Sequence, residues 1–198
     1  MCSSRAQNAD DGGSLMTRRT NMSPPASMPM IGDELARAKA RAARLLAQKA
    51  RSEADLRARL ERSHFSLPVI DAAIAYLRSK GLIDDAQLAR ETVDSTLRKA
   101  PAGDALLLQR VEREGVSQPL AEQAVAQTPR PERARAQAMA RLIELRLPRE
   151  LDAVARWRRA LGVMARRGFG EEESMEALRE VLGPEPEAPD QPAGGPLF

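Results

Sequence analysis

The sequence predicts an all-α protein, an elongated tandem array of three three-helix repeats. Three observations predict it. Apolar residues recur at spacings of three and four, and no segment alternates with the period of a strand. Aromatic residues make up only 3% of the 198 residues, while Ala, Leu and Arg dominate and 30% are charged. This is the composition of amphipathic helices, because sheets draw on aromatic and β-branched residues. Finally, one stretch returns twice. Arg59 to Pro68 (RLERSHFSLP) reappears as Arg110 to Pro119 (RVEREGVSQP), and more loosely as Met164 to Glu172. Each copy ends a helix on basic residues, turns at or near a glycine, buries one hydrophobic residue and starts another helix. A repeat of about 20–50 residues usually marks one supersecondary unit copied and stacked.

The elements follow in order. Residues 1–32 are rich in Ser, Pro, Met and Gly without periodicity, and read as a disordered leader. Unit 1 covers 33–83. Its first helix (33–50) carries the apolar stripe Leu35, Ala38, Ala42, Leu45 and Leu46, with Arg37, Arg41 and Arg44 on the opposite face. Ser52-Glu53-Ala54-Asp55 has capping-box spacing and opens a second helix, whose inward pair is Leu56 and Leu60. A third helix begins near Pro68, buries Ile70, Ala73, Ile74 and Leu77, and stops at Gly81.

Unit 2 covers 84–128. Asp84 is its expected cap, followed by Leu88, Ala89, Val93 and Leu97. Pro101 and Gly103 break the chain. The next helix carries Leu107, Leu108 and Val111 to Gly115, and another from Pro119 buries Leu120, Ala124 and Val125. Unit 3 covers 129–183. A helix over 131–146 presents Met139, Leu142 and Leu145, and one over 149–167 presents Leu151, Val154, Leu161 and Met164 with Trp157 on a flank. The last helix follows Gly170, where Glu171 to Glu173 favour the positive end of the helix dipole. It buries Met175, Leu178 and Leu182. Residues 184–198 form a Pro-rich acidic tail, expected to be disordered.

The single cysteine, Cys2, allows no disulfide within the chain, and no apolar run suggests a signal peptide or membrane span. Together these point to a cytoplasmic protein. The chemistry-bearing inventory is short. His64 is the only histidine and sits at a turn held by glycine in the other copies. That reads as a residue tolerated in a left-handed turn, not a base. No Cys/His spacing suits a metal, and no glycine-rich phosphate loop is present. Asp84-Asp85 and Glu171 to Glu173 open helices, where capping explains acids without catalysis. No catalytic residue, metal or cofactor is expected.

The arginines remain. The formal charge is +3, and residues 33–100 hold most of the surplus. A basic front half suggests an acidic partner. The candidate contact residues are Arg37, Arg41 and Arg44 on the first helix, Arg57, Arg59 and Arg62 on the second, and Arg98, Lys99, Arg110 and Arg113 in unit 2. Each alone reads as part of a solvated face. As a group they suit carboxylates or phosphates, since the guanidinium fork binds both bidentately.

One combination is specific. Leu45-Leu46, Arg51-Ser52-Glu53, Leu56 and Leu60 are followed by Phe65, Ile70, Ile74, Leu77 and then Gly81-Leu82-Ile83-Asp84-Asp85 with Leu88-Ala89. This pattern resembles the RecX family of bacterial recombination regulators, over about residues 33–183. The resemblance implies a curved array of three-helix repeats. It also implies binding in the helical groove of the RecA filament, with inhibition of RecA's ATPase, strand-exchange and coprotease activities. The chain departs from the family pattern at Ser63-His64, where Lys-Gly is usual, at Leu88-Ala89, where Phe-Ala is usual, and at Arg98-Lys99-Ala100-Pro101, where a basic-Gly stretch is usual. A monomer acting by binding alone is expected, with at most a weak, non-specific DNA contact. The alternative is a helical DNA-binding protein using phosphate contacts or a helix-turn-helix-like pair. That reading wants a polar recognition helix, and the third helix offers mainly Ala, Ile and Tyr.

Overall fold

A computed structural model describes residues 31–187. The expected leader and tail lie largely outside this range. Nine α-helices and no strand occur among the described residues. They are α1 (Ile31–Gln48), α2 (Glu53–Arg62), α3 (Leu67–Ser79), α4 (Asp85–Lys99), α5 (Asp104–Arg113), α6 (Gln118–Ala126), α7 (Glu132–Glu144), α8 (Ala153–Arg166) and α9 (Glu171–Leu182).

Substantial helix–helix packing stays within the triplets α1–α3, α4–α6 and α7–α9. Each triplet closes over its own core. Leu56, Leu60, Ile70, Ile74 and Leu77 fill the first, Leu107, Val111 and Ala121 the second, and Trp157, Met164 and Leu178 the third. This is the tandem array of three-helix bundles that the repeat predicts. In the third, α7 and α9 run parallel. Arg133 pairs with Glu176, and Gln137 Nε2 donates to Glu180 Oε2 at 2.6 Å, so the rungs advance together along both helices.

The local signals act largely as read. Ser52 Oγ accepts from Asp55 N at 3.2 Å, Asp84 Oδ1 from Gln87 N at 2.8 Å, and Asp152 Oδ1 from Ala155 N at 2.8 Å. Only half of the Ser52 capping box forms, because Asp55 is taken by Arg51 and Arg59. His64 adopts φ 61°, the left-handed turn that Gly115 and Gly168 adopt in the other units.

Three expectations about α7 and α8 need correction. α8 starts at Ala153 and not near 149, because Asp152 supplies the cap. Trp157 is buried, not on a flank. With Ala160 and Met164 it makes the inner stripe at spacings of three and four, which leaves Val154 and Leu161 at its edges. Leu145 is 81% exposed at the end of α7, and Ile143 takes the core place. Elsewhere Leu108, Leu120, Met175 and Leu182 pack at the rims of their cores and not inside them.

Units meet through turns, and both joints make their contacts at corresponding positions of the repeat. At the first, Ser52 at the start of α2 donates from Oγ to the Glu114 carbonyl that ends α5, at 2.7 Å. At the second, Gly103 at the start of α5 donates from its amide to the Arg167 carbonyl that ends α8, at 2.9 Å. An acid on the first helical residue of the following unit, at the start of α4 or α7, caps the helix across each joint. Asp85 Oδ1 accepts from Glu53 N at 3.0 Å, and Glu132 Oε1 from Asp104 N at 3.1 Å. The turn glycine is pressed against the preceding unit both times. A Cβ on Gly115 would lie 2.6 Å from Ser52 Oγ, and one on Gly168 would lie 2.3 Å from Leu106 N.

Candidate partner-binding surface

The ten candidate residues fall into three groups. Arg37, Arg41 and Arg44 are exposed along α1 and have no ion pair among the described residues. Beside them, Lys39 Nζ sits 3.9 Å from the centre of the Tyr76 ring, a cation–π contact between α1 and α3.

The α2 arginines are engaged within the fold. Arg57 pairs with Glu53 at 3.1 Å and with Asp71 on α3, and Arg59 pairs with Asp55 at 2.8 Å. Arg62 Nε donates to the Ala58 carbonyl at 3.0 Å. Burial works upward on the Asp55 carboxyl, but hydrogen bonds from Arg59 and Arg51 outweigh it and hold Asp55 below the usual carboxylate range. Arg57 is held above the usual arginine range, chiefly by its bond to Asp71. Arg57 braces α2 against α3, and Arg59 and Arg62 are held on α2 itself, so their availability to a partner is limited.

The third group is in unit 2. Arg98 and Lys99 at the end of α4, and Arg110 on α5, line one concavity with Lys49 from the loop after α1. Arg113 lies on the same helix as Arg110 but outside this lining. The concavity has a volume of about 490 Å³ and lies at the joint of units 1 and 2. Its other walls are Ala50 in the loop after α1, Leu88, Glu91, Thr92, Ser95 and Thr96 of α4, and Glu114. Lys49 Nζ reaches Glu114 at 2.7 Å, and Glu91 accepts from Gln87 Nε2 at 2.8 Å. Arg98, Lys99 and Arg110 have no ion pair among the described residues, so positive charge accumulates there uncompensated.

Sequence reasoning missed the arginines that matter most for architecture. Arg135 is buried at the joint of units 2 and 3. It donates to the carbonyls of Ala102 and Arg130, the latter at 3.1 Å, and pairs with Asp104. Arg167 donates from Nε to the Pro101 carbonyl at 2.9 Å and from Nη2 to the Ala100 carbonyl at 2.7 Å. The signal for Arg135 was present: it stands four residues before Met139, inside the apolar stripe of α7.

The joint acids carry a pH dependence. Burial pushes the Asp85 carboxyl above its usual range, and the Glu53 carboxylate adds to this, while the amide of Glu53 and the charge of Arg78 act against it. Burial also raises Glu132. A raised carboxyl pKa means that ionisation costs stability above the folded pKa, and that this cost disappears below the unfolded pKa. Asp85→Asn keeps an oxygen for Glu53 N and removes the charge. Its melting temperature is expected to exceed the parent's at neutral pH, with the gain shrinking as pH falls through the Asp85 range. Thermal melts between mild acid and neutrality check this. A gain that grows on acidification would be the wrong sign.

No group of three or more His, Cys, Asp or Glu side chains among the described residues is placed to hold a metal ion. No described helix is long and apolar enough to cross a membrane. Small three-helix bundles repeated in tandem place the chain in the helical-repeat class.

Comparison with known proteins gives that class its family. Residues 38–77 match the family description "RecX, first three-helix domain". The chain is 32% identical to the regulatory protein RecX of Corynebacterium efficiens over 155 residues, covering 76% of this chain and 74% of that one. It is 31% identical to the regulatory protein RecX of Mycobacterium avium, covering 83% and 94%. The crystal structure of RecX from Lactobacillus salivarius superposes with a TM-score of 0.67 at 16% identity, covering 76% of this chain and 97% of that one. The chain belongs to the RecX family.

Proposed function

We propose that this chain is a cytoplasmic regulator that binds RecA recombinase, or its filament on DNA, and inhibits ATP hydrolysis, strand exchange and coprotease activity. Family membership supports a regulatory role close to RecA in DNA repair and recombination. The observation that carries the reading is the repeated joint. Three like units joined at corresponding positions make a surface that recurs along the chain, and a recombinase filament presents a surface that recurs along its axis. Contacts spread over successive units raise affinity through effective concentration, so no single unit need bind tightly.

The cations on α1 and unit 2 supply steering toward an acidic partner, an effect that salt weakens. The protein acts by occupying a groove, as a monomer, and needs no turnover of its own. A helix-turn-helix reading is poorly served, because Val69, Ile70, Ala73, Ile74 and Leu77 of α3 are buried in unit 1. The direct test is RecA-catalysed ATP hydrolysis on single-stranded DNA with increasing amounts of this chain. Hydrolysis is expected to fall in a dose-dependent and salt-sensitive way. Unchanged hydrolysis with folded protein, across low and moderate salt, would remove the proposal.

A further inference from the structure

We infer that the trough between the end of α1, α4 and α5 is a binding site for the phosphodiester backbone of nucleic acid, held by Arg98, Lys99 and Arg110. The charge balance is the first argument. Four cations and two acids line the trough, and Lys49 is already spent on Glu114. Arg98, Lys99 and Arg110 then face only Glu91, which leaves about two positive charges without a protein partner.

Arg110 also stands close to Arg167 across the second joint. The Arg167 guanidinium is held below the usual arginine range, by burial first and by Arg110 second. A fold that gathers like charges without acids works against its own stability, and an anionic ligand relieves that repulsion. The contrast with α2 sharpens the point. There, Arg57 and Arg59 each have a carboxylate within the same bundle.

The trough's dimensions and wall chemistry choose the anion. A carboxylate needs only one guanidinium fork, whereas about 490 Å³ accommodates a sugar with its phosphate. Ser95 and Thr96 in the wall both donate to the Thr92 carbonyl, at 3.0 and 2.8 Å, so their hydroxyl protons are spent and the three cations carry the contact with the anion. No aromatic ring lines the trough. Base stacking therefore has no platform here, and the site reads backbone and not sequence.

The site goes beyond the regulatory reading and is tested without RecA. Anisotropy of a labelled oligo(dT) strand is measured against the full chain over a salt series. Three phosphate contacts on a single strand contribute about 2 to the slope of log K against log salt. The combined variant Arg98→Gln, Lys99→Gln and Arg110→Gln is expected to lose a slope of about that size, and to bind at least about ten-fold more weakly at low salt. The matched variant Arg37→Gln, Arg41→Gln and Arg44→Gln removes the same charge from α1 and is expected to change binding by less than about three-fold. Both sets are exposed and unpaired, so circular-dichroism melts should match the parent. The single variant Arg110→Gln, with a slope change of about 0.7, serves if the triple melts early. Equal losses from the two triple variants would mean general attraction and overturn the site. So would oligo(dT) failing to bind the parent, or polyglutamate displacing it charge for charge, which marks an acidic-polypeptide site. RecA inhibition without oligo(dT) binding would sink this inference alone.

Discussion

Gly168→Ala is expected to lower the melting temperature more than twice as much as Gly81→Ala, although both glycines sit at nearly the same backbone angle. Gly81 has φ 66° and nothing within 4 Å of where a Cβ would stand. Alanine there meets only the left-handed backbone penalty, about 1–2 kcal/mol. Gly168 has φ 74° and meets the same penalty, but its Cβ would overlap the Leu106 amide and side chain of the neighbouring unit. Relieving that overlap means moving backbone, not a flexible side-chain end, and overpacking of this kind adds about 1–3 kcal/mol. For a chain of this length, 1 kcal/mol corresponds to about 2–4 °C. Gly168→Ala should therefore fall by about 5–15 °C and Gly81→Ala by less than half of that. Equal shifts would show that the second joint yields easily and is not a tight contact.

Arg135→Ala is the second large effect. The residue is 4% exposed, bridges units 2 and 3 through the Ala102 carbonyl and Asp104, and also holds the Arg130 carbonyl of its own unit. Truncation leaves a buried carbonyl acceptor without its donor, which costs about 1–3 kcal/mol. The Asp104 carboxylate is 43% exposed, so solvent screens the lost ion pair, and that part adds at most about 1 kcal/mol. Arg133→Ala removes an exposed pair with Glu176 two residues away and is expected to cost less than about 1 kcal/mol. Chemical denaturation separates the two cases. In Arg135→Ala, unit 3 should also unfold ahead of units 1 and 2, broadening the transition, because each unit leans only on its neighbours. A loss no larger than that of Arg133→Ala would make Arg135 a bystander.

Much of the helical scaffold was legible because its signals are local. Apolar spacing, glycine and proline breaks, and the Ser52 and Asp84 caps all act within four residues. The left-handed turn at His64 could be read by alignment with Gly115 and Gly168. Trp157 was misplaced because α8 has two neighbouring apolar stripes, and only packing against α7 and α9 selects the inner one. The site was less legible, for a physical reason. Arg98, Lys99, Arg110 and Lys49 converge across a joint between units, and no sequence period encodes convergence. The engagement of Arg57 and Arg59 was readable in principle, since Glu53 and Asp55 stand four residues before them on the same helix. The role of Ser52 in reaching Glu114 was not, as nothing about a capping serine announces a second partner in the next unit.

The turn in unit 1 differs from the other two in a way that bears on modular construction. At Gly115 and Gly168 a side chain is excluded because the preceding unit presses on the turn. His64 occupies the equivalent turn, is exposed, and has no unit against it among the described residues. Lengthening the array by grafting a fourth bundle ahead of α1 would therefore require glycine at position 64, as well as a serine or glycine at the new bundle's second-helix cap to receive it. The left-handed turn itself accepts a side chain, as His64 shows, so glycine at the other two turns answers to a neighbouring unit and not to the backbone.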